Sequence, residues 1–137
     1  SLGHANPERM NMQLGYTILY VPDVRRSVAF YEQAFGLKAA FVDESGDFAT
    51  LATGATALSF CSRSLLERLG KTPGRPDRAQ PCFEIALTTG DVPAALARAL
   101  GAGAALIQPP EQMSWGQTVA YVADPDGFWI ELCTPMG

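Results

Sequence analysis

One order of signals occurs twice along this chain, and that repetition restricts the possible folds more than any other feature. A run suited to a β-strand leads to an aspartate, then an apolar helical stripe, a glycine and several short strand-like runs. An offset of 68 positions places Asp23 over Asp91, Val24 over Val92, Val28 over Leu96 and Tyr16 over Glu84. The glycines that follow the helices, Gly36 and Gly103, align once one residue is dropped. The expected fold is therefore α+β, with two β-α-β-β-β modules, each packing one face of its sheet under a helix.

The physical reasons lie in each half. Tyr16 to Val21 is β-branched and aromatic, as a strand prefers, and alternation puts Tyr16, Ile18 and Tyr20 on one face. Asp23 can accept a hydrogen bond from a free amide of the helix that follows. Val24, Val28, Tyr31 and Phe35 form that helix's apolar stripe, and Gly36 ends it. The runs 37–42, 47–52 and 55–60 then read as a meander, separated by turns at Glu44-Ser45-Gly46 and Thr53-Gly54. In the second half 83–88 is a strand, Val92, Leu96 and Leu100 are a helical stripe, and 104–107, 117–122 and 128–133 are strands. Pro109 to Ser114 reads as a loop. The expected single domain spans 14–134, with modules at 16–60 and 83–134. The segment 61–80 connects them, holds a short helix within 62–70, and either joins the halves or covers a site.

At 137 residues the chain fits one domain, and a hydrophobic fraction of 47% against 18% charged permits a real core. A net charge of −4 gives no broad positive field for a phosphate backbone or an anionic lipid surface, so no nucleic-acid or membrane partner is expected. Cys61, Cys82 and Cys133 are too few and too scattered for a disulfide framework and form no CxxC pair, which suits a reducing cytoplasm. Residues 1–13 lack the basic start and apolar middle of a secretion signal, and Ser1 to Pro7 reads as a loose end holding His4, the sole histidine.

Two stretches carry a family resemblance. One is Val21-Pro22-Asp23-Val24-Arg25-Arg26-Ser27-Val28-Ala29-Phe30-Tyr31 followed by Phe35-Gly36; the other is Trp115-Gly116 followed by Ala123-Asp124-Pro125-Asp126-Gly127-Phe128-Trp129-Ile130-Glu131-Leu132. Over residues 14–134 the chain resembles the glyoxalase, bleomycin-resistance and extradiol-dioxygenase superfamily, the vicinal oxygen chelate fold. The resemblance implies that the two modules form curved mixed sheets around a ligand cavity with the helices outside, and a homodimer whose cavities draw on both chains. Asp124 to Gly127 also has a purely structural reading, as the tight connection between the last two strands.

Metal-dependent members carry histidine or glutamate on inward positions of the first and fourth strands of each half. By that resemblance the matching positions are Tyr16, a site near Leu58, Glu84 and Glu131. Only the two glutamates are carboxylates, and a phenol binds a metal strongly only after losing a proton held to a pKa of about 10. No metal site and no cofactor are therefore predicted, although a Glu84, Glu131 and Cys133 cluster is a conceivable divalent-metal site. Glu84 and Glu131 are instead the candidate catalytic residues, with apolar walls and mutual repulsion raising a carboxyl pKa toward neutrality. The bland alternative is a hydrogen bond from Tyr16 or Tyr20, or an ion pair at a dimer edge.

Tyr16, Tyr20, Leu58, Phe60, Trp115 and Trp129 are the candidate ligand-binding residues, since aromatic rings stack on planar ligands. Trp115, in a loop, is the candidate gate, with Met113 as adaptable contact, whereas Trp129 also reads as ordinary packing. Arg63, Arg68, Lys71, Arg75 and Arg78 read as surface charge or as an anion rim. The leading expectation is a glyoxalase- or bleomycin-resistance-like protein that binds a small molecule without a metal. The alternatives are a lyase, isomerase or hydrolase acting on a small oxygenated molecule through Glu84 or Glu131, and a metal-dependent glyoxalase or dioxygenase.

Overall fold

The computed structural model describes residues 11–136, so His4 and the loose end at 1–7 lie outside the described residues. The first unit runs β1 (Tyr16–Val21), α1 (Val24–Phe35), β2 (Ala39–Val42), β3 (Phe48–Leu51) and β4 (Ala57–Ser62). After α2 (Arg63–Arg68) the second runs β5 (Glu84–Thr88), α3 (Val92–Gly101), β6 (Ala105–Gln112), β7 (Thr118–Ala123) and β8 (Trp129–Cys133). The repeat extends to topology. One sheet has the order β1-β4-β3-β2 and the other β5-β8-β7-β6, with β1–β4 and β5–β8 parallel and the remaining pairs antiparallel.

The helix starts follow from the aspartates. Asp23 accepts from the Arg26 amide and Asp91 from the Ala94 amide, each at 3.0 Å. Gly36 closes α1 at φ 70°, a left-handed conformation that its missing Cβ permits. The buried stripe of α1 is Val24, Ser27, Phe30, Tyr31 and Ala34, with Val28 and Phe35 half-buried at its margins. In α3 the buried residues are Val92, Leu96 and Ala99, while Leu100 turns to solvent; the helix presents the next residue round its face to the sheet.

The two units share one hydrophobic core. Helix α1 packs on β3 and β4, α3 on β6, β7 and β8, and the two helices pack on each other. Polar contacts cross the same boundary. Arg98 of α3 donates to the Gln33 and Glu32 carbonyls at the end of α1, at 2.9 and 3.2 Å. Tyr31 of α1 donates its hydroxyl to buried Asp124, beyond β7, at 2.6 Å. Asp124 also accepts the Asp126 and Phe128 amides, each at 2.9 Å, and so shapes the β7–β8 turn. Burial raises the Asp124 carboxyl, and burial together with that carboxylate holds the Tyr31 phenol well above its ordinary range.

One expected loop is a strand. β6 continues through Pro109 and Pro110 to Gln112, and the physical reason is its place at the outer edge of its sheet. Proline has no amide hydrogen to donate, and an edge strand tolerates it where no neighbouring strand needs that donor. Register shifts between Leu106 and Gln108 and between Gln108 and Glu111 absorb the irregularity.

Candidate functional site

With the helices on one face of each sheet, the opposite faces are free to meet a ligand. On the second sheet alternation puts Glu84 of β5, Glu131 and Cys133 of β8, and Val119 and Tyr121 of β7 on that helix-free side. The β7–β8 register sets Tyr121 directly opposite Glu131. The parallel β5–β8 register sets Ala86 beside Glu131, so Glu84 reaches it diagonally, a span that two long side chains cover.

These registers gather the two carboxyls and the Tyr121 hydroxyl on one face. Hydrogen bonding to Glu131, with partial burial and charge repulsion, raises Glu84 to about 7. Burial and the two glutamates push Tyr121 up to about 12, so its hydroxyl keeps its proton as a donor. Burial also raises the Cys133 thiol, whose Sγ contacts the Leu87 carbonyl at 3.9 Å. The arrangement can hold one proton between two acids at neutral pH and present it to a ligand.

Glu131 and Tyr121 border a hollow of about 520 Å³, completed on its other sides by Met113, Trp115, Gln117 and neighbouring residues. Trp115 stands in the β6–β7 turn, which is closed by the Gly116 amide on the Met113 carbonyl with Gly116 at φ 103°. Its indole donates to Gln117 at 2.7 Å, and Gln117 donates to the Thr134 carbonyl at 2.7 Å. The ring is thereby fixed over the hollow while 63% exposed. A second crevice of about 400 Å³ lies between β1 and β5 and is lined by Thr17, Leu58, Phe83 and Glu84 among others.

Of the other candidates, Leu58 alone borders this crevice. Trp129 tilts against Tyr121 at 5.3 Å and donates to the Arg78 carbonyl at 2.8 Å, so it braces the acidic pair and anchors the connecting segment. Tyr16 and Tyr20 occupy the helix-free face of the first sheet, 61% and 42% exposed, and border neither hollow. Leu58 and Phe60 turn toward the helices: both are in the core, and Phe60 packs on Tyr31 at 5.0 Å. This corrects the reading of the fourth strand. The β1–β4 register puts Ala57 and Ser59 beside Tyr16 and Ile18, and Ser59 shares a hydrogen bond with Thr50 at 3.0 Å. Of the basic residues around the connecting segment, Arg68 pairs with Asp47 and Arg63 donates to the Pro73 and Gly74 carbonyls.

Tyr121 is the site residue that sequence reasoning missed. Counting outward from the Asp124–Gly127 turn would have found it, because a hairpin with Ala123 opposite Trp129 must pair Tyr121 with Glu131. The donor set does not fit the metal that the vicinal oxygen chelate fold suggests. Tyr16 is a phenol, Leu58 has no donor atom, and Glu84 and Glu131 alone supply carboxyls at the four positions. Among the described residues no three His, Cys, Asp or Glu side chains converge on a metal position.

Paired β-α-β-β-β units, each with one sheet face left free of helices, define the fold class. The model of the Glyoxalase/Bleomycin resistance protein/Dioxygenase superfamily matches residues 13–132, and the chain belongs to that superfamily. Among solved structures, a protein of unknown function from Agrobacterium tumefaciens is 30% identical, with 93% of this chain and 97% of that one covered and a TM-score of 0.73. A superfamily member from Sphaerobacter thermophilus is 26% identical over 92% and 99%, with a TM-score of 0.70. A glyoxalase-related enzyme from Fulvimarina pelagi is 24% identical over 91% and 89%, with a TM-score of 0.78, and shows likeness of fold. A comparison with curated proteins found no match.

Proposed function

We propose that this chain binds a small molecule without a metal, in the hollow beside Glu84, Tyr121 and Glu131. The observation that carries this reading is the meeting of an open aromatic hollow, fixed by Trp115, with an acidic pair that, among the described residues, belongs to no group of three side chains placed to hold a metal ion. Hollows of this size suit drug-sized ligands. Screening a small-molecule library by the Trp115 indole resonance should yield ligands, and Trp115→Ala should weaken them about tenfold, the loss of one aromatic contact. One tightly retained divalent ion per chain in freshly purified protein would contradict the metal-free part.

The acidic pair favours a second reading, a lyase, isomerase or hydrolase acting on a small oxygenated molecule. Glu84, with a pKa of about 7, would donate a proton to a substrate oxygen while Glu131 received one. Turnover should then fall by about a hundredfold or more in Glu84→Gln. Turnover with an unchanged rate and pH profile in both Glu84→Gln and Glu131→Gln removes these roles.

A homodimer is part of the proposal. Tyr16, Ile18 and Tyr20 form an exposed row along β1, and Phe41 is exposed on β2 at the other edge of the same sheet, a face that a second copy would cover. Its tyrosines would then reach a ligand held by the partner's acidic sheet. Light scattering should give twice the chain mass, and Tyr20→Glu should lower it; a monomer mass at every concentration excludes the dimer. A cytoplasmic setting is retained, supported by three cysteines that are all free, and no helix among the described residues is long and apolar enough to cross a membrane.

A further inference from the structure

The charge and shape of the hollow specify the class of molecule it takes, an inference that rests on the binding reading above. Its lining contains no lysine or arginine. Glu131 brings a carboxyl group to its floor, and Glu84 stands diagonally beside it on the same face of the sheet. Glu111 pairs with Val119 in the β6–β7 ladder and therefore stands on the same side of the sheet. The ion pair between Arg68 and Asp47 lies in the other half of the chain and supplies no counter-charge here. Gln117 already spends its amide on Thr134 and its carbonyl on Trp115.

Three kinds of ligand can be compared. An anion meets like charge and no cationic partner. A neutral apolar molecule fills the space but covers the carboxyl pair without replacing its water, which is unfavourable. A protonated amine on a flat apolar body satisfies both parts of the site: its ammonium bonds the carboxyls, and its ring lies against Trp115 and Met113. We propose that the hollow selects organic cations, an amine joined to a flat bicyclic-sized apolar group, with Glu131 and Glu84 as counter-ion and Trp115 as stacking surface.

This assignment carries a proton balance. When the ammonium arrives, the proton shared by the pair leaves Glu84 for solvent, and both carboxylates face the cation. Glu84 is faced by Glu131 and Cys133 of β8 and Tyr121 of β7; β5 has no other titratable side chain, and β1 presents Thr17 across the crevice. Affinity for an amine therefore rises as pH passes upward through about 7, and binding below that pH releases a proton.

Calorimetry on the full chain with naphthylmethylamine, naphthylmethanol and naphthoate separates the possibilities, run one pH unit below and above about 7 in buffers of different ionisation enthalpy. The expected order is amine, then alcohol, then acid, with the amine favoured over the alcohol by about tenfold at the higher pH. Glu131→Gln should bring amine and alcohol to near equality. The native protein provides the test even if that variant folds poorly. If the alcohol or the acid binds as well as the amine while shifting the Trp115 indole resonance, the cation assignment is overturned and the binding hollow stands. If no probe binds or moves that resonance, the cation assignment is overturned together with the reading beneath it.

Discussion

Glu84 is held in its protonated form up to about pH 7 by the folded protein, whereas its ordinary value is 4.5. A carboxyl group raised by folding contributes stability that is fully present below about 4.5 and is lost as pH rises through about 7. The unfolded chain releases that proton first, so the folded state loses ground throughout this window. Glu84→Gln mimics the protonated form and should remove this part of the pH dependence. Urea midpoints of the two proteins, measured across the window, should converge at its acid end and separate toward its neutral end, with the variant the more stable there. Parallel curves at all pH values would show that Glu84 holds no shared proton. Asp124 is also raised by burial, but it remains in both proteins and cancels from the comparison.

The elements are governed by shorter-range chemistry, which is why they were largely legible. Asp23 and Asp91 each bind the amide three residues on, and each substitution to alanine should cost about 1 kcal/mol in urea unfolding. A loss at only one of the two sites would mean that the duplicated cap is not a duplicated function. Caps, helix-ending glycines and turn residues act within a few positions, so the chain displays them in order. Face assignment within β4 was taken from the family resemblance and not from the strand itself. Leu58 and Phe60 alternate with Ser59, so the strand's own pattern points the two large apolar side chains at the helices. Both are core residues, and Leu58 also lines the crevice beside Glu84. β6 shows the converse problem: two adjacent prolines signal a break locally, yet an edge position that only the whole sheet defines makes them acceptable. The acidic pair lay between these cases. Glu84 and Glu131 could be found one at a time from their strands, but their contact and the arrival of Tyr121 depend on two registers at once.

At the scale of the molecule, the repeated units should behave as one. Their helices pack together over a shared core, Arg98 ties α3 to the end of α1, and Tyr31 reaches across to the turn that sets the β7–β8 register. That register is also what brings Tyr121 to Glu131, so a contact rooted in the first unit supports the acidic site of the second. Both tryptophans belong to the second unit, whereas far-ultraviolet circular dichroism reports on both. Urea unfolding followed by tryptophan emission and by dichroism should give coincident transitions. Tyr31→Phe should move both midpoints together by an amount equivalent to about 1–3 kcal/mol, because it leaves a buried Asp124 oxygen without its partner. Two separated transitions, or a loss confined to the dichroism of the first unit, would mean that the units fold independently and that the Asp124 turn keeps its shape without Tyr31. Coincidence would instead make the acidic pair a property of the whole fold, with the geometry of Glu131 and Tyr121 dependent on an aromatic residue of the opposite unit that touches neither.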